Sequence, residues 1–138
     1  MRLYSYLGPA GLAAPTDRWH AVPSKQSGTF TYVVTAEGTL WLADQHSEHV
    51  SCARGEAVLA AGELTLAKGE VSAISNLSTG YCPELSCWLA VQAALKRAGF
   101  DAPEGFTHAY VFRQCSSCGQ RNVIKEELYE CAVCGTTL

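Results

Sequence analysis

Four cysteines near the end of this 138-residue chain, in CSSCGQRNVIKEELYECAVCGTTL, carry its most specific chemistry. Cys115 and Cys118 form one CxxC pair and Cys131 and Cys134 a second, with twelve residues between the pairs and a glycine directly after each. Four thiolates complete a tetrahedral shell around a soft cation and leave no position open. The pattern therefore predicts a structural metal site, with one zinc ion as the expected cofactor. Iron is the alternative, because an all-sulfur tetrahedron does not by itself select the metal. Gly119 and Gly135 let the backbone fold around the ion.

The paired knuckles resemble a zinc ribbon or a rubredoxin-type knuckle pair over residues 112–138. NVIKEELYE between them can form a short hairpin. Arg113, Arg121 and Lys125 can meet phosphate, but Glu126, Glu127 and Glu130 stand beside them and oppose that use.

A second group of residues raises a different chemistry. In STGYCPELSCW, Pro83 suits the first turn of a helix, which puts Cys82 at the N-cap. The helix end would then lower the Cys82 thiol pKa and make it a nucleophile or a metal ligand. HSEHVSC supplies its candidate partners. His46, His49 and Cys52 are spaced three apart and can converge on a second metal, or His46 or His49 can act as base to Cys82, with Glu63 or Glu48 orienting it. The candidate catalytic set is thus His46, His49 and Cys82. The plainer alternative is that the histidines lie at the surface and that Cys52 and Cys82 are small packing residues. Cys87 reads as core beside Trp88. Ser47, Glu63, Asn76, Ser78 and Tyr81 are candidate ligand-binding residues around the same turn.

These groups need a scaffold. TFTYVVTA, the Glu37-Gly38 turn and TLWLAD predict one hairpin, and ELTLA, Lys68-Gly69 and EVSAISNLS a second. AVLAAGE adds a short strand, so residues 29–77 read as a four- or five-stranded antiparallel meander. Apolar residues at Leu85, Trp88, Leu89, Val91 and Leu95 predict one helix over about 83–98, closed by Lys96, Arg97 and Gly99. FTHAYVFR predicts a strand over 106–114 leading into the knuckles. Residues 1–27 are rich in Gly, Pro, Ala and Ser and read as irregular wrapping, with an edge strand over 3–7.

Composition narrows the classes. The net charge of −3 disfavours a nucleic-acid binder that relies on broad phosphate neutralisation. No run of 18 apolar residues predicts a membrane span, and Gly8-Pro9 interrupts the only candidate leader. Seven cysteines without a secretion signal point to a reducing, cytoplasmic setting.

The run HSEHVSCARGEAVLAAGELTLAKGEVSAISNLSTGYCP resembles a module of plant IQ-motif-containing calmodulin-binding proteins and of some bacterial proteins, in which the ending more often reads SGHYRP. The matching positions are His46, Ser47, Ala61, Gly62, Glu63, Gly69, Asn76, Ser78, Gly80, Tyr81 and Pro83. In that resemblance AAGE forms a turn. The helix and ribbon that follow resemble small uncharacterised bacterial zinc-ribbon proteins. No IQ motif is present here, so calmodulin binding does not carry over, and the resemblance implies no catalytic set.

The expectation is an α+β protein: residues 1–111 a mainly β domain with one helix, and 112–138 a zinc ribbon. Its expected function is that of a small bacterial zinc-containing binding or adaptor module for a protein partner or small ligand. The alternatives are a cysteine- or metal-dependent hydrolase or transferase, and a nucleic-acid-binding ribbon regulator.

Overall fold

The computed structural model describes residues 1–9 and 16–138. The part of the expected wrapping over residues 10–15 lies outside the described residues. Five strands form one antiparallel sheet: β1 (Trp19–His20), β2 (Gly28–Thr35), β3 (Leu40–Asp44), β4 (Val58–Ala67) and β5 (Glu70–Ile74). Their spatial order is β1-β3-β2-β4-β5. The two expected hairpins, β2–β3 and β4–β5, both form, turning at Gly38 and Gly69 with φ of 82° and 81°.

The expected meander needs correcting at its middle. A meander would lay β4 beside β3, but β4 pairs with β2 over Val58 to Leu66. The short helix α1 (His49–Cys52) lies between β3 and β4 in the chain, so β4 reaches the other side of β2. AVLAAGE is not a separate strand, and AAGE is not a turn. From Val58 on, both belong to the ten-residue β4. The physical reason is visible at Gly62, opposite Tyr32. A Cβ there would lie 2.0 Å from the Ser75 carbonyl oxygen and 2.9 Å from the Tyr32 ring. Tyr32 crosses this bare spot and donates its hydroxyl to the Ser75 carbonyl at 2.7 Å.

Side chains along a strand alternate between faces. Tyr32, Val33 and Val34 in β2 are all fully buried, so the centre of the sheet is covered on both faces. Part of the cover comes from α2 (Trp88–Ala98), through Ala90, Val91, Ala94 and Leu95. The predicted helix is shorter at its start than expected. Residues 85–87 form a 3-10 turn (Leu85–Cys87), and Glu84 before it is extended. The apolar stripe is also narrower than expected, because Leu85 and Leu89 are exposed. At the other end Gly99 takes φ 95°, and the Phe100 N–H bonds the Leu95 carbonyl at 2.9 Å, a left-handed helix stop.

Residues 3–7 form no strand beyond one bridge, in which Tyr4 exchanges both main-chain bonds with Val58. The expected strand over 106–114 is regular only in β6 (Val111–Gln114), which pairs with β7 (Arg121–Ile124). Its first half docks on the end of β5 instead. The Thr107 and His108 N–H groups both reach the Ile74 carbonyl, at 3.0 and 3.2 Å. No helix among the described residues is long and apolar enough to cross a membrane.

A candidate metal centre and the cleft beside it

The four-cysteine cluster forms where the spacing predicts it. The Sγ atoms of Cys115, Cys118, Cys131 and Cys134 all lie within 4.8 Å of one another. Cys115 and Cys134 are 3.5 Å apart at sulfur, as are Cys118 and Cys131. Four sulfurs at about 2.3 Å from one ion stand about 3.8 Å apart, so the cluster fits a tetrahedral thiolate site. The two knuckles are copies of one turn. Gly119 N–H bonds the Cys115 carbonyl and Gly135 N–H the Cys131 carbonyl, each at 2.9 Å, with φ of 77° and 76° at the glycines.

Hydrogen-bond donors prepare the sulfurs of the second knuckle for charge. The Val133 N–H points at Cys131 Sγ from 3.4 Å. The Cys131 thiol is held down to about 6, first by the Cys134 N–H and further by the Val133 N–H and the Asn122 side chain. Asn122 is buried and also accepts the Ala132 N–H at 2.9 Å, which ties β7 to the second knuckle.

The second set of sequence candidates does not assemble. Among the described residues, only the four C-terminal cysteines bring three or more His, Cys, Asp or Glu ligand atoms together. His46 is exposed in the turn after β3, with Nε2 3.2 Å from Gln45 Nε2. His49, at the start of α1, places Nε2 2.9 Å from the Gly62 carbonyl oxygen. A carbonyl only accepts, so Nε2 carries the proton. Burial lowers the His49 pKa against that bond, which favours the neutral ring. Cys52 is buried, its thiol 3.9 Å from the Trp41 carbonyl and pushed up to about 11 by burial.

Cys82 is not an N-cap. It sits in a turn with φ 48°, its N–H on the Ser78 carbonyl and its thiol donating to the Thr79 carbonyl at 3.3 Å. Burial raises its pKa, and the nearby Arg121 guanidinium offsets only part of that. The lowered pKa expected from a helix end is therefore reversed, because no helix starts there. Cys87 is buried, as expected.

Most of the other candidates are used inside the fold. Ser47 meets Thr16 through its hydroxyl and accepts from Thr31 at its carbonyl. Glu63 has an exposed side chain, and its main chain bonds Ser75. Ser78 is buried, and its hydroxyl has no partner among the described residues. Tyr81 is buried, donates to the Glu56 carbonyl at 2.8 Å and packs against Tyr6. Asn76 is fully buried. Its Nδ2 donates to the Pro83 and Tyr110 carbonyls, and its Oδ1 accepts the Tyr110 N–H.

Tyr81 and Cys82 nonetheless border an open cleft of about 680 Å³. One wall is the N-terminal segment from Arg2 to Leu7, the second is the turn around Cys82 to Ser86, and the third is β6 with Arg121. Leu3, Leu7, Leu85 and Val111 face it and are all large, exposed apolar side chains. The charged side chains around it are Arg2, Arg113 and Arg121 against a single carboxylate, Glu84. Arg2 pairs with Glu84, while Arg113 lies over the Tyr129 ring. No histidine lines the cleft.

Residues 2–7 gave no functional signal in the sequence. Arg113 and Arg121 did, as possible phosphate contacts. No protein-family model, no curated protein and no solved structure matches the chain.

Proposed function

We propose that this chain is a zinc-stabilised binding module, an adaptor whose ligand sits in the cleft between the N-terminal segment and the ribbon. The observation that carries the reading is the convergence of four exposed aliphatic side chains, Leu3, Leu7, Leu85 and Val111, on one concave surface. Scattered apolar residues on a surface are ordinary, but a concave apolar patch rimmed by charge is how binding sites are built.

Zinc is the preferred ion, because a closed thiolate tetrahedron is its common structural site. Its work here is to hold β6 and Arg121 against the cleft. A reducing, cytoplasmic setting and a bacterial origin fit the free thiols and the resemblance drawn from the sequence. An enzymatic role for Cys82 has less support, since its thiol is held protonated and has no histidine beside it in the cleft.

Screening the zinc-loaded full chain against a random peptide library and a small-fragment library tests this reading. Hits are then measured on the doubly substituted Leu85→Glu, Val111→Glu chain. Hits that lose binding in the substituted chain support the cleft. No hits, or hits that bind both chains equally, overturn it.

A further inference from the structure

The main-chain groups of β6 indicate what the cleft accepts. In an antiparallel pair, directly opposed residues alternate between hydrogen-bonded and non-hydrogen-bonded positions. Cys115 N–H bonds the Gln120 carbonyl at 2.7 Å. Counting back along the register, Arg113–Asn122 and Val111–Ile124 are bonded pairs, and Gln114–Arg121 and Phe112–Val123 are not. The N–H and C=O groups of Phe112 and Gln114 therefore point away from β7.

The same edge is already used as a strand edge further back. The Ile74 carbonyl takes the N–H groups of Thr107 and His108, and the Asn76 carboxamide takes both main-chain groups of Tyr110. Phe112 and Gln114 continue that edge, both line the cleft, and neither main chain bonds any described residue outside the hairpin.

We infer that the cleft binds an extended acidic peptide segment, which adds as a strand to the open edge of β6 at Phe112 and Gln114. This inference rests on the binding-module reading above. Strand addition supplies main-chain bonds, and alternate side chains supply the selectivity. Val111, on one face of β6, offers aliphatic contact to one set of side chains, and Arg121, opposite Gln114 on the other face, offers a guanidinium fork to carboxylates on the other set. The excess of arginine stands out on a chain whose net charge is −3. Arg121 pairs with no carboxylate among the described residues.

The probe is a fluorescein-labelled, end-blocked heptapeptide of alternating Val and Glu, titrated by anisotropy against the zinc-loaded chain. Replacing Glu with Lys in the probe should weaken binding about tenfold or more, the scale of one lost charge-assisted contact. N-methylation of one alternate set of probe amides should abolish binding, and methylation of the other set should be tolerated. Arg121→Glu should weaken the Glu probe and strengthen the Lys probe, with metal content unchanged.

The inference is overturned if the Lys probe binds as well as the Glu probe, if both methylated sets bind, or if the Glu probe fails to bind at about 1 mM. Cleft-dependent ligands from the library screen that are cationic or non-peptidic would sink the acidic strand and leave the binding module standing. An absence of any cleft-dependent ligand would sink both.

Discussion

Asn76 holds Tyr110 as a neighbouring strand would, accepting its N–H at 2.7 Å and donating to its carbonyl at 2.9 Å. The same amide nitrogen also bonds the Pro83 carbonyl at 3.1 Å. One buried side chain therefore joins the end of the sheet, the turn beside the cleft and the strand leading to the ribbon. Asn76→Ala would leave all three main-chain groups without partners. The expected cost is about 3 kcal/mol, since each buried group left unpaired costs about 1–3 kcal/mol and part is recovered by water. Urea unfolding monitored by tryptophan fluorescence measures it. A loss under about 1 kcal/mol would mean that the strap is not what fixes the ribbon.

Metal removal should act locally. The cysteines sit in the β6–β7 hairpin and the second knuckle, and the main sheet draws its core from other strands. A strong chelator, or Cys131→Ser, should abolish amide protection over residues 111–138 and leave the β2 and β4 amides protected. Coupling of metal binding to folding of its own segment predicts this split. Hydrogen exchange resolves the two regions. Loss of protection in both would show that the sheet also depends on the ion.

The parts of this structure that were legible in the sequence are the local ones. CxxCG fixes a knuckle within five residues, and Lys68-Gly69 fixes a hairpin within two strands, so both form as expected. The choice of β2 over β3 as partner for β4 is non-local. Gly62 there lies against Tyr32 and the Ser75 carbonyl, contacts that no window around AAGE displays. Leu85 and Leu89 fit a helical period as well as Val91 does, and periodicity does not say which apolar residues stay exposed. The cleft draws on residues 2–7, 81–86 and 110–121, so it becomes visible only once the chain is folded. Pro83 suits a first helical turn, but Cys82 takes φ 48° and Glu84 is extended, so the helical turn begins only at Leu85.

Gly62 should tolerate no side chain. Gly62→Ala places a methyl group 2.0 Å from the Ser75 carbonyl oxygen, and backbone on both strands has to move. It also strains the Tyr32–Ser75 hydrogen bond. The expected destabilisation is about 3 kcal/mol, toward the upper end for overpacking. Thermal melting checks it. A change in Tm of only about a degree would mean that β5 moves aside freely.

Cys82 should be a slow thiol. Burial holds its pKa above the ordinary value of 9.0, so its thiolate is scarce at neutral pH. Alkylation by N-ethylmaleimide, followed by peptide mass analysis on zinc-loaded protein, should be slower than for a free cysteine at pH 7 and should keep rising beyond pH 9. Cys82→Ala should leave the fold and the metal content intact. Fast labelling near neutral pH would revive the nucleophile reading.

The pH dependence of stability should carry the mark of His49. Its folded-state pKa lies below the ordinary 6.5, because burial penalises the charged ring. Between those two values the unfolded chain binds more protons than the folded one, so stability rises with pH there. The contribution is fully present above 6.5 and is lost as pH falls through the folded pKa. His49→Gln can keep a donor to the Gly62 carbonyl, but it does not titrate. Melting curves from pH 7 down to pH 5 should therefore fall less steeply for His49→Gln than for the parent chain. Equal slopes would mean that His49 stays solvated enough to protonate in place.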